Sequence, residues 1–473
     1  MNTGEGQDAT GAAIDGEAIC LLPAVELARL VRTKEISARE LTGAHLRQIE
    51  RWNPRVNAIV TLTAEQAMQA ASDADERLAR GEPIGPLHGL PVVHKDLFAT
   101  KGVRTTKGSP IFADWMPDYD DLPVARMHAA GAIMLGKSNT PEFGAGSQTF
   151  NAVFGATRNP YDFAKTCGGS SGGSAVALAT GMAALADGSD VGGSLRNPAS
   201  FCNVVGLRPS AGRVPGKPGW PRFDVYGPMG RTVDDVALLL SVMAGPDPVS
   251  PLSIDEPGDG FREVAALDPR SVRVAWSRDL GGLPVERRVT AVLERQRDLL
   301  ISLGCEVDET EPDLSDAGEI FHVLRALMFE TDLGPLYDEH ADQMKDTVRW
   351  NIEEGRRLTG SRIAWAERAR TALQERVRQF FERYDFLICP VAQVLPFSVD
   401  IPYPTEIDGR PMTNYIEWMR SCTDISVTGH PALSLPAGFS GEGLPVGMQI
   451  VGRWRGERAL LAFAKAIEGT RRP

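Results

Sequence analysis

Two Gly/Ser clusters carry the residues that could do chemistry. The first reads Cys167-Gly-Gly-Ser170-Ser171-Gly-Gly-Ser174. The second reads Gly188-Ser-Asp190-Val191-Gly192-Gly193-Ser194-Leu-Arg196-Asn197-Pro198. A plain Gly/Ser linker would be flanked by polar filler. Here the small apolar run AVALATGMAALA (175–186) lies between the clusters, and core-like FCNVVGLRPS (201–210) follows them. Glycine admits backbone shapes barred to other residues and leaves N–H groups open to a bound atom. Val191, Gly192 and Gly193 thus offer adjacent donors ahead of the Ser194 hydroxyl, as an oxyanion hole requires.

A serine nucleophile needs a base, most often histidine. The chain has only 7 histidines. His45, His128, His322 and His340 fall in segments that read as solvated helix, His88 and His430 in turns, and His94 beside an apolar run. Lys95 is the better candidate, because it ends the strand-like stretch LPVVH. A buried lysine is costly unless neutral or hydrogen-bonded, and desolvation lowers its pKa toward that of a general base. The plainer reading of Lys95 is a lysine snorkelling from an edge strand. A further pattern, Gly131-Ala-Ile-Met-Leu-Gly136-Lys137-Ser138, has phosphate-loop spacing. Its interior is apolar, helix-like sequence precedes it and Pro141 follows, so no nucleotide site is expected there.

Taken together, these segments resemble the amidase signature family of hydrolases. The resemblance rests on the double Gly/Ser motif, the upstream lysine in GLPVVHKD, and the segments NTPEFGAG (139–146) and GATRNP (155–160). It extends, more loosely, to TGHPALSLPAG and GLPVGMQIVG (428–452). It implies that Ser194 is the nucleophile, Ser170 a bridging serine in an unusual cis peptide, and Lys95 the base. The backbone of Val191, Gly192 and Gly193 would form the oxyanion hole. Ser171, Asp190 and Arg196 would give supporting hydrogen bonds, Gly144 would line the pocket, and Asn197 would face substrate.

The implied reaction is cleavage of carbon–nitrogen bonds in linear aryl or aliphatic amides through an acyl-enzyme, with no cofactor and no metal. Carbamates (urethanes) are within reach, since they add only an alkoxy group to the same carbonyl. Trp115, Met116, Trp418 and Met419 could wall a pocket for a bulky group or could be ordinary core. The alternative is the glutamine-hydrolysing A subunit of a tRNA amidotransferase, whose pattern usually has Gln where Asn197 stands. A non-catalytic binding protein on the same fold would need a broken relay, and all three positions are intact.

The elements that must position these residues alternate between helix and strand, which means an α/β class. That class carries a mixed β-sheet core covered by helices on both faces, and the resemblance makes it one amidase-signature domain over 19–473. Its core motifs fall at about 60–240 and a variable helical region at about 250–425. Residues 1–18 read as a disordered N-terminus. Capping boxes at Ser37–Glu40 and Thr63–Gln66 open two helices, and AVALATGMAALA reads as a helix. LHGLPVVHKDLF, GAIMLG, SVRVAWS, CEVDET and DFLICPVA read as strands, and ALSLPAGFSGEGLPVGMQIVG as a strand pair.

Composition narrows the partners. The formal charge is −12, from 50 basic and 62 acidic side chains. This argues against nucleic-acid or anionic-membrane binding. No apolar run is long enough to span a bilayer, and the N-terminus lacks a secretory pattern. The 6 cysteines form no CxxC pair and read as reduced packing thiols. A cytoplasmic monomer or homodimer acting on a small-molecule amide or carbamate is expected.

Overall fold

Eleven strands join in one mixed sheet in the computed structural model, which describes residues 17–216, 219 and 223–470. They are β1 (Ile59–Leu62), β2 (Pro91–Lys95), β3 (Ile133–Ser138), β4 (Leu185–Asp190), β5 (Val205–Arg208), β6 (Val225–Gly230), β7 (Arg273–Trp276), β8 (Glu306–Glu309), β9 (Phe386–Pro390), β10 (Ala432–Phe439) and β11 (Pro445–Val451). Their order across the sheet is β1-β3-β2-β4-β6-β5-β10-β11-β9-β7-β8. β2 runs parallel to both β3 and β4, and β7 parallel to both β8 and β9. The remaining pairs are antiparallel.

Helices cover both faces, and the strand sequences show why. Phe386 and Ile388 pack into one apolar layer with Leu27, Val236, Leu293 and Phe463. Leu387 between them packs into the other, with Phe321, Leu373 and Ile425. Side chains alternate faces along a strand, so a strand buried on both sides must be apolar at every position. That explains why β9 reads as a continuous apolar run, whereas the edge strand β8 is polar and largely exposed.

Several local expectations change. The Ser37–Glu40 capping box forms and opens helix Ala38–Val56. Thr63 precedes helix Ala64–Ala79 but makes no side-chain cap; its hydroxyl donates to Met134 O at 3.1 Å. The run AVALATGMAALA splits between helix Gly172–Ala179 and β4. Gly181, at φ +69, makes the turn, a conformation that ends helices. Small residues suit both elements, so the pattern alone could not place the break.

His45 is buried rather than solvated, with Nδ1 2.8 Å from Gly181 O, and desolvation pushes its imidazole down to about 3. Gly131–Ser138 holds β3 instead of a phosphate loop. A Cβ on Gly136 would sit 2.1 Å from Thr61 O, so the close β1–β3 approach requires glycine there. All six cysteines are buried and free. Among the described residues no helix is long and apolar enough to cross a membrane. Most of the expected disordered segment, residues 1–16, lies outside the described residues; Glu17 and Ala18 form a turn.

Candidate active site

Lys95 ends β2, a strand buried at every position. Its Nζ donates to three hydroxyls: Ser170 Oγ at 2.7 Å, Ser171 Oγ at 3.0 Å and Ser189 Oγ at 3.0 Å. The ammonium's three hydrogens thus find acceptors, none of which carries charge to repay the lost hydration. Desolvation pushes the lysine down to about 7, against an opposing pull from Asp190 and Asp187. The lysine therefore exchanges a proton readily near neutral pH.

The two serine clusters are clasped together. Ser171 N donates to Ser194 O at 3.2 Å. The Gly169–Ser170 peptide is cis, as the resemblance implied. Helix Gly172–Ala179 starts immediately after Ser171 and presses its first turn against loop backbone. A Cβ on Gly173 would stand 2.3 Å from Asn139 N, and one on Gly188 2.6 Å from Ser171 Oγ. The glycines here serve close packing around the hydroxyls.

Asp190 anchors the turn that carries Ser194. Its carboxylate accepts from Gly193 N at 2.8 Å, Leu195 N at 3.1 Å and Arg196 Nε and Nη2 at 3.0 Å each. Arg208 Nη1 adds a longer contact at 3.3 Å. Burial would raise this carboxyl, but Arg196 and Arg208 hold it well below the ordinary carboxylate range. Arg196 also donates to Gln449 Oε1 at 2.5 Å and Ser426 Oγ at 2.6 Å, tying the turn to β11 and to helix Arg420–Thr428. A bidentate, fully paired guanidinium of this kind is a strong positional constraint.

Ser170, Ser189, Ser194, Val191 and Gly144 line one cavity of ≈ 150 Å³. Among the described residues Ser194 makes no side-chain hydrogen bond to Ser170, so the expected relay is closed from Lys95 to Ser170 and open from Ser170 to Ser194, which share the cavity wall. Among the described residues the N–H groups of Val191 and Gly192 are unengaged, whereas Gly193 N–H is spent on Asp190. Of the three expected backbone donors, two are thus available. Asn197 does not face the cavity. It is fully buried, donates to Ser147 Oγ at 2.9 Å and packs behind Gly193. Its identity therefore says nothing about substrate.

The apolar wall also differs from expectation. Met116 is exposed, Trp418 and Met419 are core, and neither they nor Trp115 line this cavity. Leu97, Phe143, Val225, Tyr226 and Met328 do, together with Asp224 and Asp332. Met328 and Asp332 lie one turn apart on helix Ala317–His340, in the region without a readable motif. Sequence reasoning also missed Ser189, which adjoins Asp190, and the pair His94 and Asp187. His94 Nδ1 stands 2.5 Å from Asp187 Oδ2, and Lys95 N donates to Asp187 Oδ1 at 2.7 Å. An aspartate directly after the apolar run AVALATGMAALA (175–186) was the available signal. Among the described residues no three His, Cys, Asp or Glu side chains gather as a metal ion needs.

A family model described as Amidase matches residues 40–461. The chain is 38% identical to the A subunit of a glutamyl-tRNA(Gln) amidotransferase from Moorella thermoacetica, across 94% of this chain and 96% of that protein. It is 34% identical to an acylamidase of Rhodococcus erythropolis, across 95% of each. A crystal structure of a bacterial aryl acylamidase of the amidase signature enzymes superposes with a TM-score of 0.89 at 28% identity, covering 95% of this chain and 96% of the other.

Proposed function

The chain belongs to the amidase family of hydrolases, and on that premise we propose that it cleaves amide carbon–nitrogen bonds through an acyl-enzyme on Ser194. The observation that carries this reading is Lys95, buried, unpaired with any carboxylate through Nζ, and bonded to Ser170 in the wall of the cavity that Ser194 also lines.

Neutral Lys95 takes the proton of Ser170, Ser170 takes that of Ser194, and Ser194 Oγ attacks the carbonyl carbon. The Ser170–Ser194 hydrogen bond this needs tightens as substrate fills the cavity. Val191 and Gly192 N–H groups receive the oxyanion. The proton returns along the relay to the departing nitrogen as the C–N bond breaks. Water then repeats the sequence on the ester, so one hard step becomes two easier ones.

The substrate is a small aryl or aliphatic amide, with aryl carbamates (urethanes) open to the same attack. The protein acts in the cytoplasm as a monomer or homodimer, without cofactor, nucleic acid or membrane. The test is a panel of anilides, primary amides and aryl carbamates against the purified chain, with Ser194→Ala as control. Turnover of anilides that vanishes in Ser194→Ala, with fluorophosphonate labelling of Ser194, supports the reading. Undiminished turnover in Ser194→Ala overturns it.

The 38% identity to the A subunit of an amidotransferase favours a second reading, glutamine hydrolysis within a tRNA-dependent complex. Turnover of glutamine only when partner subunits are added, with inert anilides, would select it.

A further inference from the structure

We propose that Asp187 and His94 form a buried carboxylate–imidazole pair that positions Lys95 and governs when it carries a proton. The inference rests on the reading of Lys95 as the base, and it concerns residues that neither serine cluster contains. The β2–β4 ladder pairs Val92 with Leu185 and Val93 with Ala186. Beyond it, a side chain takes over the work of the backbone. Asp187 Oδ1 accepts Lys95 N–H at 2.7 Å, and Asp187 Oδ2 lies 2.5 Å from His94 Nδ1. A carboxylate only accepts, so the His94 hydrogen is on Nδ1. Ser174 Oγ closes the arrangement from helix Gly172–Ala179 by donating to Asp187 O at 2.9 Å. Both Asp187 and His94 are fully buried.

The consequence is mechanical and electrostatic at once. Lys95 is the last residue of its strand, and its backbone is fixed by a carboxylate whose other oxygen is fixed by the preceding side chain. That sets where Nζ meets the three hydroxyls. The same carboxylate places negative charge beneath the lysine, which favours the ammonium and opposes desolvation. The other titratable groups around the pair are Lys95 itself, Asp190 on β4, Lys137 on β3, His128 on helix Leu122–Ala129, and Asp120 and Asp121 just before that helix. The His128 ring meets His94 edge-on at 5.3 Å. Asp187 alone touches the Lys95 backbone and the His94 side chain together. Asp187 and His94 act through Lys95 and are positioning residues.

The test is the pH profile of kcat/KM on one anilide for the wild type, Asp187→Asn, His94→Asn, His94→Phe and Lys95→Met. In the wild type the rate rises with pH as Lys95 loses its proton. Asp187→Asn keeps the shape and removes the charge, so the Lys95 ammonium loses support and the rising limb moves down by about 1 pH unit. The amide nitrogen of His94→Asn stands roughly where Nδ1 stood, so this variant restores the kcat that His94→Phe loses, with little change in KM. An unmoved limb in Asp187→Asn overturns the proposal. If that variant fails to fold, equal kcat in the two His94 variants overturns it. Lys95→Met separates the two claims: wild-type activity there defeats the reading of Lys95 as base, whereas its inactivity beside an unmoved Asp187→Asn limb defeats only this inference.

Discussion

Lys95 and Lys137 stand on neighbouring parallel strands, both fully buried, and they differ in what they touch. Lys95 Nζ meets only hydroxyls, two of which line a cavity. Lys137 Nζ donates to the carbonyl of Phe98 and to Thr100 Oγ1 at 2.9 Å, beside the Asp96 carboxylate. Desolvation lowers both, Lys95 to about 7 and Lys137 to about 8. Burial alone therefore does not make a base. The difference lies in the partners: Lys95 bonds a hydroxyl that lines a cavity, as the proposed proton transfer needs, whereas Lys137 is enclosed among fixed acceptors.

Lys95→Met breaks the first half of this comparison and should have the largest effect. Loss of the base should lower kcat/KM by about 10²–10⁴-fold with the fold intact, measured as turnover beside a melting curve. Lys137→Met should show the reverse split. Turnover should persist while stability falls by about 3–5 kcal/mol, since the Phe98 carbonyl and the Thr100 hydroxyl lose their buried donor and the Asp96 carboxylate loses a nearby positive charge. Desolvation holds Asp96 up at about 6, so this loss should deepen as pH rises through that value. Denaturant unfolding at pH 5 and pH 8 measures it.

A comparable effect separates the wild type from Lys95→Met in stability. Folded Lys95 titrates near 7 and the unfolded chain near 10.5. Between these values the unfolded state binds the extra proton, so the cost of burying Lys95 is present below 7 and fades as pH rises. Wild-type stability should climb relative to Lys95→Met over that window, by on the order of a few kcal/mol. Smallest of all, Gly188→Ala should cost about tenfold in kcat, because its Cβ would press on Ser171 Oγ and shift one of the three Lys95 partners. Equal kinetics would show that Ser171 has room to give.

Much of this was legible in the sequence. Alternating helix and strand pointed to an α/β class with a mixed sheet covered on both faces. Glycine clusters marked the serines because close packing there excludes side chains. What stayed hidden depends on contacts distant in the chain. Asp187 meets His94 only because β2 and β4 are neighbours. Thr63 looks like a cap until Met134 O claims its hydroxyl. Asn197 looks exposed to substrate until Ser147 takes its amide. Met328 and Asp332 belong to a helix whose apolar residues run round it instead of forming one stripe, so its pattern points to no pocket face.

That last helix bears on how such a protein can change over time. Leu97, Phe143, Tyr226, Met328 and Asp332 border the cavity, but the residues of the proposed relay sit at the end of β2 and in the two serine turns. On the proposed mechanism, drift at positions 328 and 332 can reshape what fits without disturbing what reacts. A pair of residues one turn apart, on an element that supplies neither nucleophile nor base, is a small and well-placed target for a saturation library. The chemistry can stay constant while the diet of the enzyme diversifies.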